Sequence, residues 1–216
     1  MLGWLAAGLV VLGILAWIGY GTSMLGVREV AVSGATIIDE GQVRSAAAVP
    51  LGTPLARVDT DAVAARVGRL APVASVDVSR SWPGTLVIHV TERVPVVSVA
   101  TPTGFVLLDA SGVAFRTVGV APAGLVALKV TAPGPSDPAT MAALHVLAAL
   151  TPQLRAQLIA VSAALPTTIR LELTGGRVVV WGSADQSDVK ARVATALLGR
   201  PGKTIDVSAP EVATTS

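Results

Sequence analysis

The amino-acid sequence predicts an α+β protein with a single N-terminal transmembrane helix, a small β-α-α-β-β module and a second, mainly antiparallel β domain with flanking helices. Three observations lead to this prediction. An apolar segment without charged residues begins the chain, short stretches of alternating apolar and polar residues recur after it, and acidic residues precede apolar stripes of helical period. Apart from the first segment, the 216 residues provide material for one or two domains of ordinary size.

The first element is the apolar segment Leu2–Tyr20, which contains no Lys, Arg, Asp or Glu. As a helix it would be roughly 28 Å long, close to the thickness of the hydrocarbon core of a bilayer. Aromatic side chains, which favour the headgroup region, lie towards its ends at Trp4, Trp17 and Tyr20. We therefore expect residues 1–22 to be a membrane anchor and the lipid bilayer to be a partner. A cleaved signal peptide is the alternative, although only Met1 precedes the apolar run and Gly21–Met24 is a poor cleavage context.

The first module is predicted to cover residues 25–94. Its predicted strands are Glu29–Ser33, Val76–Arg80 and Leu86–Val90, and its predicted helices begin after Asp39 and at Asp59 or Thr60. Asp39 is followed three residues later by Gln42, which is a capping-box arrangement. Pro83 and Gly84 predict a type II turn, so the last two strands should form a hairpin. We expect both helices on one face of this sheet and a solvated opposite face.

The second module is predicted to cover residues 95–210, before a polar tail at 211–216. Strands are predicted at Val96–Val99, Phe105–Leu108, Val113–Phe115, Leu125–Val130, Ile169–Leu173, Val178–Trp181 and Thr204–Ser208. Helices are predicted from Asp137 to about Leu150, over Pro152–Leu158, and after Asp185 with Val189, Val193, Ala196 and Leu197 facing inward. Gly175 and Gly176 mark the clearest hairpin turn of the chain.

The composition argues against several classes of function. The chain has no cysteine, and its two histidines, His89 and His145, are far apart in sequence. Disulfides and thiolate sites are therefore excluded, and we expect no metal. A net charge of +2 with 3% aromatic residues gives no nucleic-acid footprint. Since the sequence has no phosphate loop and no nucleophile elbow, we also expect no cofactor, no small-molecule substrate and no enzymatic activity; an exported hydrolase is the alternative.

Four residues of the first module are candidates for contacts beyond its core. Arg80 and Trp82 flank the predicted hairpin turn, where they either pack or form an exposed binding hot spot. Glu92 and Arg93 lie where the first module passes into the second, just before a strand-breaking proline. We expect them to form an ion pair at this junction, or to contact a partner protein.

The order of elements after the apolar segment resembles a POTRA domain. The stretches Val30–Gly34, Val76–Leu86, Glu92–Pro95, Leu108–Gly112 with Phe115, and Ile205–Pro210 together resemble the bacterial cell-division family FtsQ/DivIB along nearly the whole chain. The resemblance implies a single-pass protein of the cytoplasmic membrane, with its N-terminus in the cytoplasm and its domains outside. It also implies a non-catalytic scaffold of the divisome at the midcell septum, which binds the bitopic proteins FtsB and FtsL. The family usually carries a longer cytoplasmic tail than this sequence contains.

The same resemblance implies that a partner strand extends the far edge of the second domain. In this sequence we expect the last predicted strand to be an exposed terminal strand, whose unpaired N–H and C=O groups would receive it. The candidate contact residues are Thr204, Ile205, Asp206, Val207, Ser208 and Val212. An internal closing strand without a partner is the alternative for these residues. For the chain as a whole, the alternative is a POTRA-type binding module that acts as a secretion or assembly chaperone.

Overall fold

The computed structural model describes Gly8, Val10, Val11 and residues 25–215 of the chain. Among these residues, none of the helices combines the length and the apolar character needed to cross a bilayer. The predicted anchor Leu2–Tyr20 lies almost entirely outside the described residues, so it stays a prediction. The chain divides into two units, the first ending at Arg93 and the second beginning at Val94.

Between residues 25 and 93, the first unit contains three strands and two helices in the predicted order. They are β1 (Glu29–Ser33), α1 (Glu40–Ala47), α2 (Thr60–Val67), β2 (Val73–Ser81) and β3 (Thr85–Glu92), with a 3₁₀ turn at Leu55–Arg57. The sheet has the order β1-β3-β2, in which β1 runs parallel to β3 and β2 runs antiparallel to it. The two helices return the chain to the end of the sheet where β1 ends, so β2 runs antiparallel to β1 and the hairpin then brings β3 back parallel to it.

Both helices of the first unit begin at the predicted acidic caps. The Asp39 carboxylate accepts the Gln42 N–H at 3.2 Å, and the Asp59 carboxylate accepts the Ala62 N–H at 2.9 Å. Apolar residues of both helices and of the sheet form one buried cluster, which includes Val43, Ala47, Val63, Val67, Leu86, Ile88 and Val90. The opposite face carries the exposed side chains of Asp77, Ser79 and His89, as expected from the alternation.

The hairpin between β2 and β3 is present, but the predicted type II turn is wrong. Ser81 pairs with Thr85, so the loop consists of Trp82, Pro83 and Gly84, and the Trp82–Pro83 peptide is cis. Gly84 does not adopt the positive φ that a type II turn requires. A Cβ at this position would lie 2.9 Å from the Gly26 carbonyl oxygen. Glycine is needed here because of a close backbone approach and not because of its φ angle.

The second unit contains nine strands and three helices within the described residues. They are β4 (Val97–Thr101), β5 (Gly104–Leu108), β6 (Ala114–Val118), β7 (Val126–Lys129), α3 (Pro138–Ala149), α4 (Pro152–Gln157), β8 (Leu158–Ala163), β9 (Ile169–Leu173), β10 (Val178–Gly182), α5 (Ser187–Leu197), β11 (Thr204–Asp206) and β12 (Thr214–Thr215). All nine strands form one sheet in the order β12-β11-β10-β9-β8-β7-β4-β5-β6. The pairs β4–β7, β7–β8 and β10–β11 are parallel and the others are antiparallel, so the sheet is mixed, with antiparallel pairing in the majority.

Helix α3 begins as the sequence predicts. The Asp137 carboxylate accepts hydrogen bonds from the Thr140 N–H at 2.8 Å and the Thr140 hydroxyl at 2.6 Å, and Pro138 occupies the first helical turn. The hydrogen bond from the Thr140 hydroxyl lowers the pKa of Asp137, against the opposing effect of desolvation. The cap therefore stays ionised and complements the positive end of the helix dipole.

Helix α5 differs from its prediction in both its start and its buried face. It begins after Gln186, which adopts a left-handed conformation (φ 54°), and Asp185 does not cap it. Val189 and Ala196, predicted to face inward, are exposed, Val193 is half-buried, and the buried positions are Ser187, Lys190, Ala191, Ala194 and Leu197. Two contacts fix this rotation. The indole N–H of the buried Trp181 donates to the Ser187 hydroxyl at 3.2 Å, and the Lys190 ammonium donates to the Ser183 carbonyl at 2.9 Å.

Candidate functional site

The predicted partner-binding strand is not the edge of the sheet. Strand β11 pairs with β10 on one side and with β12 on the other, through the pairs Ile205–Thr215 and Asp206–Thr214. The expectation of an exposed terminal strand at 204–208 is therefore corrected, because the tail turns back and places β12 outside β11. The strand that ends the sheet on this side is Thr214–Thr215.

Two of the six candidate contact residues belong to the core. Ile205 and Val207 are fully buried and lie in the same apolar cluster as Trp181. The Val207 N–H also donates to the Val180 carbonyl at 3.0 Å. Their side chains hold β11 against the sheet, so a partner could meet these residues through their backbone but not through their side chains.

The polar candidates shape the end of β11. The Asp206 carboxylate accepts the Ser208 N–H at 2.9 Å and the Ser208 hydroxyl at 2.7 Å, an arrangement that turns the chain out of the strand. Thr204 and Asp206 are half-buried and Ser208 is exposed. Val212, the remaining candidate, lies in a 3₁₀ turn at Pro210–Val212 that leads into β12.

Strand β12 is therefore a short and polar edge that the sequence did not reveal. It contains two threonines, of which Thr214 is exposed and Thr215 half-buried. Two residue pairs attach it to β11, whereas β10 and β9 are joined through four. A strand with so few ladder hydrogen bonds can be extended or replaced by another strand at small cost.

Arg80 and Trp82 have different roles, although they lie two residues apart. The Arg80 guanidinium donates to the Leu55 carbonyl at 3.1 Å and to the Val58 carbonyl at 2.6 Å, and so ties β2 to the 3₁₀ turn. Trp82 lies at the tip of the hairpin with 54% of its surface exposed. Arg80 thus stabilises the first unit, and Trp82 is available for contact.

Glu92 anchors a turn inside the first unit. Its carboxylate accepts the N–H groups of Thr36, Ile37 and Ile38 at 2.8 to 2.9 Å, and the Thr36 hydroxyl at 2.5 Å. The Arg93 Nε donates to the Ala71 carbonyl at 3.2 Å, and the predicted role of both residues at the junction stays a prediction. Desolvation raises the pKa of Glu92, but the hydrogen bonds from Thr36, Ile38 and Ile37 together lower it to about 2.

No group of three or more His, Asp or Glu side chains suitable for a metal ion occurs among the residues that the structure describes. Within the described residues, the nine-stranded sheet ends in the two-residue strand β12, and the Glu92 carboxylate holds a turn in the first unit.

Comparison with known protein families assigns both units. The POTRA domain, FtsQ-type, matches residues 25–93, and the C-terminal domain of cell division protein FtsQ/DivIB matches residues 98–208. The chain belongs to the FtsQ/DivIB family. The predicted resemblance, including the POTRA domain and the FtsQ-type second domain, is therefore confirmed.

Several relatives carry the name "Cell division protein FtsQ". The chain is 48% identical to that of Mycolicibacterium smegmatis over 95% of its own length and 60% of the relative. It is 44% identical to that of Streptomyces bingchenggensis over 90% of its length and 77% of the relative. It is 43% identical to that of Mycobacterium tuberculosis over 90% of its length and 62% of the relative. The chain thus spans about three fifths of the two mycobacterial FtsQ relatives.

Proposed function

We propose that this FtsQ/DivIB family member is a non-catalytic scaffold of the divisome that captures FtsB- and FtsL-type bitopic proteins by strand addition. The observation that carries the proposal is that, among the residues that the structure describes, β12 is attached to the sheet through Thr214 and Thr215. A partner strand would pair with the outer side of β12, or would take its place beside β11. Main-chain hydrogen bonds would provide affinity, and neighbouring side chains would provide specificity.

The contacts around β11 support this assignment of the receiving edge. Burial of Ile205 and Val207 keeps β11 in place whether or not β12 is paired to it. A fixed strand next to a weakly attached one gives a partner a rigid template, which reduces the entropy lost on binding. Thr204, Asp206 and Ser208 remain the side chains of 204–208 able to meet a partner directly, while Ile205 and Val207 support them.

The opposite edge of the sheet provides a matched control. Strand β6 has five residues, and each of its pairs with β5 contributes to a longer ladder. Proline lacks a backbone N–H and blocks strand addition where that N–H faces outward. Because alternate N–H groups face opposite sides of a strand, Thr214→Pro and Thr215→Pro between them cover the outward position of β12.

The experiment measures co-purification of an FtsB-type partner from the same bacterium with Thr214→Pro, Thr215→Pro and, as control, Thr117→Pro in β6. We expect one of the β12 variants to lose partner capture while the sheet stays folded, and the β6 variant to retain capture. Retained capture by both β12 variants would exclude pairing with the outer side of β12, and loss only with Thr117→Pro would contradict strand addition at this edge. Val207→Pro is not a suitable test, since it would remove a core side chain and the hydrogen bond to Val180.

We further propose that Leu2–Tyr20 anchors the chain in the cytoplasmic membrane, with both units on the outer side and the protein concentrated at the division septum. The support is the uncharged apolar sequence and its terminal aromatic residues. Protease added to intact spheroplasts should then degrade both units. Complete protection of both units, or recovery of the chain in the medium, would contradict this topology.

A further inference from the structure

The first described residues of the fold meet two other segments at one end of the first unit. The Arg28 N–H donates to the Gly84 carbonyl in the hairpin loop at 2.7 Å. The Gly52 N–H donates to the Val27 carbonyl at 2.7 Å. The start of β1, the tip of the β2–β3 hairpin and the loop at 50–57 therefore lie together, and we call this the entry end.

The entry end carries two large apolar side chains in solvent. Leu51 is 70% exposed and Trp82 is 54% exposed. Leu51 lies in the loop after α1 and Trp82 lies in the loop after β2. The backbone hydrogen bonds of residues 27 and 28 bring these two loops to the same end of the unit. Another exposed apolar side chain of this unit, Ile37, is 53% exposed and lies at the opposite end, beside Glu92. The length of β3 separates the two ends by about 23 Å.

The charge of the entry end is also asymmetric. Within its three segments (25–29, 50–57 and 80–85), Arg28, Arg57 and Arg80 carry positive charge and Glu29 alone carries negative charge. The aliphatic part of Arg28 lies over Gly84, since a Cβ on Gly84 would be 3.1 Å from the Arg28 Cγ. Arginines at the same end of the unit as an exposed indole form a combination suited to phospholipid headgroups, because arginine binds phosphate and tryptophan favours the interface.

The sequence limits how far this end can be from a bilayer. Four residues, 21–24, lie between the proposed anchor and Leu25. Even in a fully extended chain, the five residue-to-residue steps from Tyr20 to Leu25 span about 18 Å. If Leu2–Tyr20 spans the membrane, the entry end is therefore the part of the first unit that the linker holds closest to the lipid.

We propose that the entry end is a lipid-contacting surface, with Trp82 and Leu51 in the headgroup region and the arginines next to phosphates. This inference rests on the proposed membrane anchor. The bilayer would then orient the first unit as well as tether it, because the contact adds a second attachment point to the single helix.

The test uses the absence of native cysteine from the whole chain. Single-cysteine variants Trp82→Cys, Leu51→Cys and, as matched control, Ile37→Cys are labelled with an environment-sensitive fluorophore. The full chain is reconstituted into vesicles of phosphatidylcholine and phosphatidylglycerol that contain lipids with a nitroxide near the headgroup. We expect blue-shifted emission at positions 51 and 82 and a several-fold larger nitroxide quenching there than at position 37.

Equal quenching at positions 37, 51 and 82 in anchored protein would overturn the lipid contact and leave the anchor intact. Exclusion of water without nitroxide quenching would also overturn it, because a second copy of the chain would then cover the surface. Release of the chain from the vesicles by alkaline carbonate would overturn the anchor and this proposal together. Since Leu51→Cys retains Trp82, the test does not depend on the variant that removes the indole.

Discussion

The turn at Thr36–Ile38 in the first unit and strand β12 in the second are both short peripheral segments, but they are attached in opposite ways. One carboxylate, Glu92, accepts three backbone N–H groups and a hydroxyl from the turn. Two residue pairs attach β12 to β11. A charged acceptor in a half-buried position makes the turn a fixed part of its unit, whereas a minimal ladder leaves β12 exchangeable.

We infer from this difference that any exchange of strands would take place at the edge of the second unit's sheet. A segment that exchanges with a partner strand must leave its neighbour intact when it opens, and β11 meets that requirement through Ile205 and Val207. The turn at residues 36–38 does not meet this requirement. Its release would leave the Glu92 carboxylate without its hydrogen-bond donors. We therefore propose that recognition takes place at the second unit's edge, whereas the turn stabilises the first unit.

Exchange of β12 requires that the rest of the second unit's sheet is well packed. Trp181→Ala removes the largest fully buried side chain and leaves the Ser187 hydroxyl without its donor. We expect a loss of about 3–5 kcal/mol in the free energy of unfolding of the second unit. Urea unfolding followed by circular dichroism measures it, with Val120→Ala as control because Val120 is 81% exposed. Similar losses for both variants would show that the core under β11 is not well packed.

Replacing the Glu92 carboxylate tests whether it holds the turn at residues 36–38 in place. Glu92→Gln keeps the shape of the side chain but weakens its hydrogen bonds to the turn. Because hydrogen bonds to charged groups contribute about 1.5–3 kcal/mol, amide exchange at Thr36, Ile37 and Ile38 should become about tenfold faster or more. Glu172→Gln, which removes a carboxylate paired with Lys129 at 2.7 Å, is the control and should leave these amides unchanged. Unchanged exchange in Glu92→Gln would mean that other contacts hold the turn.

The pH dependence of the hydrogen bonds to Glu92 tests its role in the turn without a mutation. The pKa of Glu92 is lowered from 4.5 to about 2, so its ionised form is favoured in the folded state. Its contribution to stability is fully present above the unfolded pKa and is lost as the pH falls through about 2. The amide chemical shifts of residues 36–38 should therefore titrate with a midpoint near 2. A midpoint near 4.5 would show that the hydrogen bonds do not favour the carboxylate.

The smallest change in the free energy of unfolding is expected for a substitution in β12. Thr214→Ala changes an exposed side chain on a strand of two residues. The free energy of unfolding should change by less than about 0.5 kcal/mol. Thermal or urea unfolding of the full chain measures it against the unmodified protein. A loss comparable to that of a core substitution would make β12 an integral strand and would contradict its exchangeability.

Local signals in the sequence were sufficient for much of the fold. The acidic caps at Asp39, Asp59 and Asp137, and the hairpin at Gly175–Gly176, each act within a few residues, and the structure confirms them. The exposed face of the first sheet followed from strict alternation. These features depend on short-range chemistry that does not change with tertiary context.

What the sequence did not predict depends on distant contacts. Strand β8 continues directly from a predicted helical stretch, and it is a strand because β7 and β9 pair with it on both sides. The rotation of α5 follows from Trp181 and Lys190, and the role of Glu92 follows from a turn 54 to 56 positions earlier in sequence. Strand β12 has no alternating pattern, so only its pairing with β11 defines it.

The most direct test of strand addition is hydrogen–deuterium exchange of the full chain with and without an FtsB-type partner. We expect new protection of the backbone at 204–208 and 211–215, with no change at 36–38. Protection confined to other segments, such as β6 at 114–118, with exchange at 211–215 unaltered, would contradict it.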